Sequence, residues 1–512
     1  MTNRLFTRNN LLVSAAFAFI GLTGCNPEED MGPANELNSQ SDMLAQSTDN
    51  PNKVSVRTNH YLVLSTTDQL PAGLEGNVAA ANGRVTSLLG GAGVAAVYSE
   101  DPDFIRKASR ISGVRSVVRD LHIQWYNPDD MKVIELEAYG NPPSSGDKDL
   151  YFDLQWGHAA IHAPAAWNAG ARGQGVRVAV LDSGFDLDHP DLAPNIDLSA
   201  SRNFVVGEQL SYALPGVGSH GTHTAGTIGA ADNDFGIIGV APEVELILVK
   251  VLRDGGSGTF GWMMEGIVHA TQQGADVINM SLGASLPRNG RFLNDNGTPD
   301  DPSDDFYEND TRAVQELLLA IDRVTRYATR NGVTVIASAG NAANNGNADK
   351  SLMHIPSASS NVISISATAP RGWALAPSTT FMDNLASYSN YGTNDIHFAA
   401  PGGDFIFYYE QLGLQSATIG TLTRPAYVFD YVFSSGSNLD PSIASYYWSV
   451  GTSMAAPHAA GVAALIIGQN GGDMDPARVL AKMRATADDL GKPGRDPYYG
   501  YGRLNAHRAV TE

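Results

Sequence analysis

Cysteine is almost missing: there is one in 512 residues, at position 25. A chain with one cysteine closes no internal disulfide, so its rigidity must come from other devices. Basic residues are scarce too, with 33 Lys and Arg against 54 Asp and Glu and a formal net charge of −21. Phosphate backbones attract the opposite balance, which excludes a nucleic-acid partner. The apolar run at 11–22 falls short of the roughly 20 residues a membrane helix needs. What the chain does have is length and 43% hydrophobic residues, enough for a large core and two or three domains.

Arg4 and Arg8 precede the apolar run, and Leu22-Thr23-Gly24-Cys25 closes it. A basic start, a short apolar stretch and a small-residue end predict a secretory signal over 1–25 and an exported protein. The last four residues resemble a bacterial lipobox. That implies a lipid on Cys25 and attachment to a membrane through it, and Asn26 by the same analogy implies the outer membrane. Residues 26–57 are rich in Asn, Ser, Asp, Glu and Pro, the composition of a disordered tether.

Between 58 and 125 the pattern changes. HYLVLS, GGAGVAAVYSE and VRSVVRDLHIQW read as strands, with helices expected near 76–89 and 103–111. This alternation predicts a small α+β, ferredoxin-like unit. The segment 126–150, containing NPDD and NPPSSGDKD, reads as an exposed linker of the kind proteases cut.

From 151 to 512 the runs VRVAVLD, VELILVKVL, ADVINMSLG, GVTVIASAGN and VISISAT are continuously apolar and rich in β-branched residues. Helical patterns separate most of them. Strands buried on both faces predict a three-layer α/β/α domain with a mainly parallel sheet, whose ligand sites lie beyond the carboxyl ends of the strands. VRVAVLD ends in Asp182, and SHGTHTAG presents His220 before a small-residue helix pattern. In WSVGTSMAAPHAAG, Ser453 stands at the mouth of a buried helix, with a proline four positions on. Serine is a weak nucleophile that needs a base within hydrogen-bond reach. Histidine can serve near neutral pH, and a buried aspartate fixes its tautomer. Each residue alone would more often be a cap or a structural group.

Together these stretches resemble the subtilases, the subtilisin-like serine endopeptidases: AVLDSGFDLDHPDL around Asp182, HGTHTAGTIGA around His220 and GTSMAAPHAAGVAALI around Ser453. The resemblance implies hydrolysis of protein or peptide substrates by an Asp182–His220–Ser453 relay. It implies an oxyanion donor at Asn341 and pocket walls at Ser281, Leu282, Gly283 and at Ser338, Ala339, Gly340. Small walls with no acidic residue imply broad cleavage with a large apolar preference. The resemblance further implies structural calcium, no organic cofactor and a monomer. The calcium ligands would be the side chains of Asp191 and Asn233 and the carbonyls of Ala231, Phe235 and Ile237. The 58–125 unit resembles the family's inhibitory propeptide; its removal would release the enzyme from the lipid. Two stretches look inserted, 294–310 as a calcium loop or a solvated acidic loop and 403–447 as a hairpin rimming the cleft. An idle peptide-binding relative and a processing protease with a single partner are the alternatives.

Overall fold

The computed structural model describes residues 54–126, 148–215, 218–294, 303–410 and 415–512. The chain divides into Met1–Ala45 and Gln46–Glu512, and every described residue belongs to the second part. The signal with Cys25, and most of the tether and linker, lie outside the described residues.

Strand β1 (Val54–Ser65) begins inside the span expected as tether. It is followed by α1 (Leu74–Ala80), β2 (Arg84–Leu89), β3 (Val94–Tyr98), α2 (Phe104–Ala108) and β4 (Val114–Gln124). The single helix expected near 76–89 is instead a short helix and a strand. Asn82, at φ 64°, ends the helix in the left-handed region. At Gly83 a Cβ would lie 2.5 Å from the Phe104 ring, so only glycine lets the two elements close. The following RVTSLL alternates in exposure and pairs antiparallel with β3, so its period of two prevails over helix propensity. β1 lies between β3 and β4, antiparallel to both. Leu74, Val78, Phe104 and Ala108 of the two helices pack on Tyr61, Val63 and Val97 of the sheet.

The larger part contains β5 (Arg177–Asp182), α3 (His220–Gly229), β6 (Glu245–Lys250), β7 (Ser257–Thr259), α4 (Phe260–Gln272) and β8 (Val277–Met280). It continues with β9 (Ala284–Pro287), β10 (Arg291–Asn294), β11 (Phe306–Asn309), α5 (Thr311–Arg330) and β12 (Thr334–Ser338). Then come β13 (Leu352–Ile355), β14 (Ile363–Ala369), β15 (Phe398–Pro401) and α6 (Thr452–Gln469). The main sheet runs β14-β12-β8-β5-β6 in parallel, with β15 parallel on β14 and short edge strands at 384–385 and 202–203. The expected three-layer α/β/α architecture is present. On one face Leu181, Ile247, Val249 and Met280 pack with Met263 and Ile267 of α4 and Leu317 and Ile321 of α5. α6 is apolar on every side and almost wholly buried, as a helix enclosed in a core must be.

β4 also pairs antiparallel with β7, so the small unit's sheet continues into the larger part. Asp120 of β4 accepts from the Gly261 amide at 3.0 Å, beside the N-terminus of α4. Glu316 of α5 receives Arg115 at 2.8 Å and Ser116 at 2.9 Å, and Arg323 donates to the Ser65 carbonyl at 2.8 Å. The ends of the 294–310 insertion form the β10–β11 hairpin, and Asn294 pairs with Val54 of β1. Residues 295–302 lie outside the described set. The 403–447 stretch forms one hairpin of Ser416–Ile419 with Leu422–Pro425, and its Val432–Ser435 pairs with Tyr446–Ser449. Ser434 and Ser435 donate to the His223 and Thr222 carbonyls, both at 2.9 Å, so this second pair braces α3.

Candidate active site

Asp182 is the last residue of β5 and is fully buried. Its Oδ1 accepts from the Ser183 amide at 2.7 Å and lies 2.8 Å from His220 Nδ1; Oδ2 accepts from Thr224 at 3.2 Å. His220 is the first residue of α3, which Ser219 caps by accepting from the Thr222 amide at 3.0 Å. A carboxylate on Nδ1 assigns the proton to that nitrogen and leaves Nε2 as the basic site.

Ser453 is the second residue of α6, behind Gly451, whose φ of 150° is a conformation for glycine. The proline four residues on leaves the Ser453 carbonyl to another donor. Pro457 cannot donate to the Ser453 carbonyl as a helix residue would, and Ser281 donates to it instead at 2.7 Å. In return the Ser453 hydroxyl donates to the Ser281 carbonyl at 3.2 Å.

Asn341 follows β12. Its side-chain oxygen accepts from the Thr452 amide at 2.9 Å and the Thr452 hydroxyl at 2.7 Å, and that hydroxyl accepts from the Gly340 amide at 3.0 Å. With its oxygen so engaged, the amide nitrogen of Asn341 is free to face Ser453. A Cβ placed on Gly451 would sit 3.4 Å from Asn341 Nδ2, 3.5 Å from the Ser453 amide nitrogen and 3.8 Å from Ser453 Cβ, so the two nitrogens lie on the same side of Gly451 as the serine side chain. The two segments expected as pocket walls are neighbours because β8 and β12 pair: Ser281, Leu282 and Gly283 follow one strand, and Ser338 ends the other ahead of Ala339 and Gly340.

The small unit reaches this site. Beyond the β4–β7 pairing, the Trp125 amide donates to the Gly256 carbonyl at 2.9 Å. The Tyr126 ring then stacks on His220, with centroids 4.6 Å apart and planes 17° from parallel. Burial, then the charge of Asp182, push the Tyr126 phenol well above its usual range.

The expected calcium residues gather in one loop cluster. The Ile237 amide donates to Asp191 Oδ2 at 3.0 Å, Tyr446 donates to the same oxygen at 2.9 Å, and Asn233 Nδ2 lies 3.4 Å from Asp191 Oδ1. The Ala231 amide bonds the Asp191 carbonyl at 2.7 Å. Asp149, which the sequence did not point out, joins them: fully buried, it accepts from the Asn233 and Phe235 amides, both at 3.2 Å. A Cβ on Gly236 would lie 2.1 Å from Asp191 Oδ2, so the loop closes directly on that carboxylate. Burial pushes Asp191 up to about 7, against the Ile237, Tyr446 and Asn233 hydrogen bonds that lower it. Among the described residues no three acidic or His side chains gather, so a cation here would need amide and carbonyl oxygens as well. Such an all-oxygen set suits calcium.

Asp149, Tyr126 and Thr452 were not singled out from sequence. Thr452 lies inside the quoted GTS motif, which was the only local signal for any of them.

A buried carboxylate–imidazole pair and a serine near a helix mouth are the side chains that serine hydrolases use. The chain is a member of the subtilase family: the model described as Subtilase family matches residues 173–502. It is thereby a subtilisin-like serine protease. It is 30% identical over 364 residues to thermitase of Thermoactinomyces vulgaris, covering 71% of this chain and 98% of that one. Subtilisin Savinase of Lederbergia lenta is 30% identical over 357 residues, 70% of this chain and 98% of that protein. The solved structure of a lanthipeptide protease is 30% identical with a TM-score of 0.55, over 72% of this chain and 99% of its own. The epidermin leader peptide processing protease EpiP of Staphylococcus aureus shares the fold, with a TM-score of 0.64 at 20% identity over 88% of this chain and 97% of its own.

Proposed function

We propose that the chain is an exported endopeptidase that cuts itself free of its N-terminal unit and then hydrolyses other polypeptides. Ser453 Oγ attacks the scissile carbonyl while His220 Nε2 takes its proton. Asp182 holds Nδ1 and stabilises the imidazolium. The oxyanion is met by Asn341 Nδ2 and the Ser453 amide. His220 then returns the proton to the leaving amine, and water releases the acyl group by the same relay. The observation that carries this reading is the buried contact of His220 Nδ1 with Asp182 Oδ1 at 2.8 Å, an arrangement an idle peptide binder does not need. A fluorophosphonate probe tests it: the native enzyme should label and Ser453→Ala should not, and labelling of the variant would refute the nucleophile.

The unit at 54–126 acts as the inhibitory propeptide. The β4–β7 pairing and the Tyr126 ring over His220 support this. Asp149, Asp191 and Asn233 with the carbonyls of Ala231, Phe235 and Ile237 hold calcium, which supplies rigidity in a chain without disulfides. Cys25 carries the lipid until processing removes it. A second reading, a processing protease with a single partner, draws on the similarity to a lanthipeptide protease; efficient hydrolysis of casein would speak against it.

A further inference from the structure

β13 pairs antiparallel with β9, which places His354 opposite Ser285, two residues past Gly283. From there the imidazole reaches the space between the two pocket segments. A Cβ on Gly283 would meet its Nε2 at 2.2 Å, and a Cβ on Gly340 would meet its Cε1 at 2.6 Å and Nδ1 at 2.7 Å. At Gly283 the ring fills the room a side chain would take; at Gly340 it does so together with the Asn390 amide nitrogen, 2.4 Å from such a Cβ, where a φ of 98° also calls for glycine. Nδ1 lies 3.3 Å from the Ser285 hydroxyl, while Nε2 is buried with no hydrogen-bond partner among the described residues. A polar nitrogen pressed against a wall without a partner costs stability, so what the ring contributes here is volume. Burial also lowers its pKa to about 4, so the group in the slot is uncharged at neutral pH.

We infer that His354 plugs the slot between Gly283 and Gly340 and restricts the residue on the acyl side of the scissile bond to small side chains: glycine, alanine or serine. This rests on the reading of the two segments as pocket walls. It stands against the large apolar preference that small walls alone implied, since an imidazole occupies the room beside Gly283 and Gly340.

The test is a series of peptide p-nitroanilides that differ only in the residue before the leaving group, assayed with the processed enzyme. Alanine and serine substrates should exceed leucine and phenylalanine in kcat/KM by roughly 100-fold, the scale on which pockets reject misfitting groups. His354→Gly should raise the phenylalanine-to-alanine ratio by a similar factor. A native enzyme that prefers phenylalanine, or a ratio unmoved in the variant, overturns the inference. Should the variant fail to fold, mass spectrometry of a casein digest by the native enzyme decides the same question: cuts after small residues support the inference and cuts after large apolar ones refute it. An enzyme that cleaves no substrate and takes no fluorophosphonate would overturn the peptidase reading itself, an outcome separate from cleavage with the wrong preference.

Discussion

Thr452 holds Asn341 by two hydrogen bonds to one oxygen, at 2.9 Å from its amide and 2.7 Å from its hydroxyl. That contact turns the Asn341 nitrogen toward the serine. Thr452→Val keeps the backbone bond and the shape but loses the hydroxyl's bond to Asn341 and the bond it accepts from the Gly340 amide. It should lower kcat by roughly 10-fold with little change in KM, less than the ~10²–10³ lost when such a donor is removed altogether in the relative subtilisin. Thr452→Ser should retain activity. A Val variant at full kcat would show that the backbone bond suffices.

Processing should cut between Tyr126 and Asp149. Tyr126 covers His220, and Asp149 accepts from the Asn233 and Phe235 amides, so the first must leave and the second must stay. N-terminal sequencing of the active enzyme is expected to begin after 126 and no later than 149. Ser453→Ala should accumulate as the uncut chain.

Chelation should destabilise the enzyme. A ligand at 100 times its Kd stabilises the folded state by about 2.7 kcal/mol, so EDTA should lower Tm by several degrees and added calcium restore it. Asp191→Asn and Asp149→Asn remove one buried carboxylate each and should abolish most of that calcium-dependent shift. Equal melting curves with and without chelator would remove calcium from the account.

The N-terminal unit should let go as pH rises. Burial pushes Glu265 of α4 up to about 7, beside Ser87, Asp120 and Arg57 of that unit, and burial raises Asp120 as well. The docked state therefore holds protons the separated parts lose, and affinity falls as pH climbs between about 5 and 7, by at most roughly tenfold per unit per group. Burial opposes it, but hydrogen bonds from Arg115 and Ser116 hold Glu316 below its usual value, so that pair titrates under this window. Release of the cut unit, followed by size exclusion from pH 5 to 8, should accelerate with pH, and Glu265→Gln should flatten the trend. Tighter docking at pH 8 would contradict it.

Much of the larger domain was legible because its signals are local. Buried parallel strands advertise themselves as short β-branched apolar runs, and VRVAVLD, VELILVKVL and GVTVIASAGN each became a strand within a few residues of the expected limits. Asp182 at a strand end, and His220 and Ser453 at helix starts, were readable for the same reason. The small unit was less so: RVTSLL could extend a helix in isolation, and only β3 beside it, with the Phe104 ring against Gly83, makes it a strand.

The sequence by itself determined the family, the parallel sheet and which three residues are the candidate triad, since motifs and periodicities reside in neighbouring residues. Tertiary structure alone decided that Tyr126 lies on His220, that Asp149 joins a loop more than eighty positions away, that Ser281 takes over the bond Pro457 cannot make, and that His354 fills the slot between two glycines. Each of these is a contact between distant segments. It is fixed by which strands pair and how closely glycine lets them approach, and no local pattern in the chain encodes such a distance.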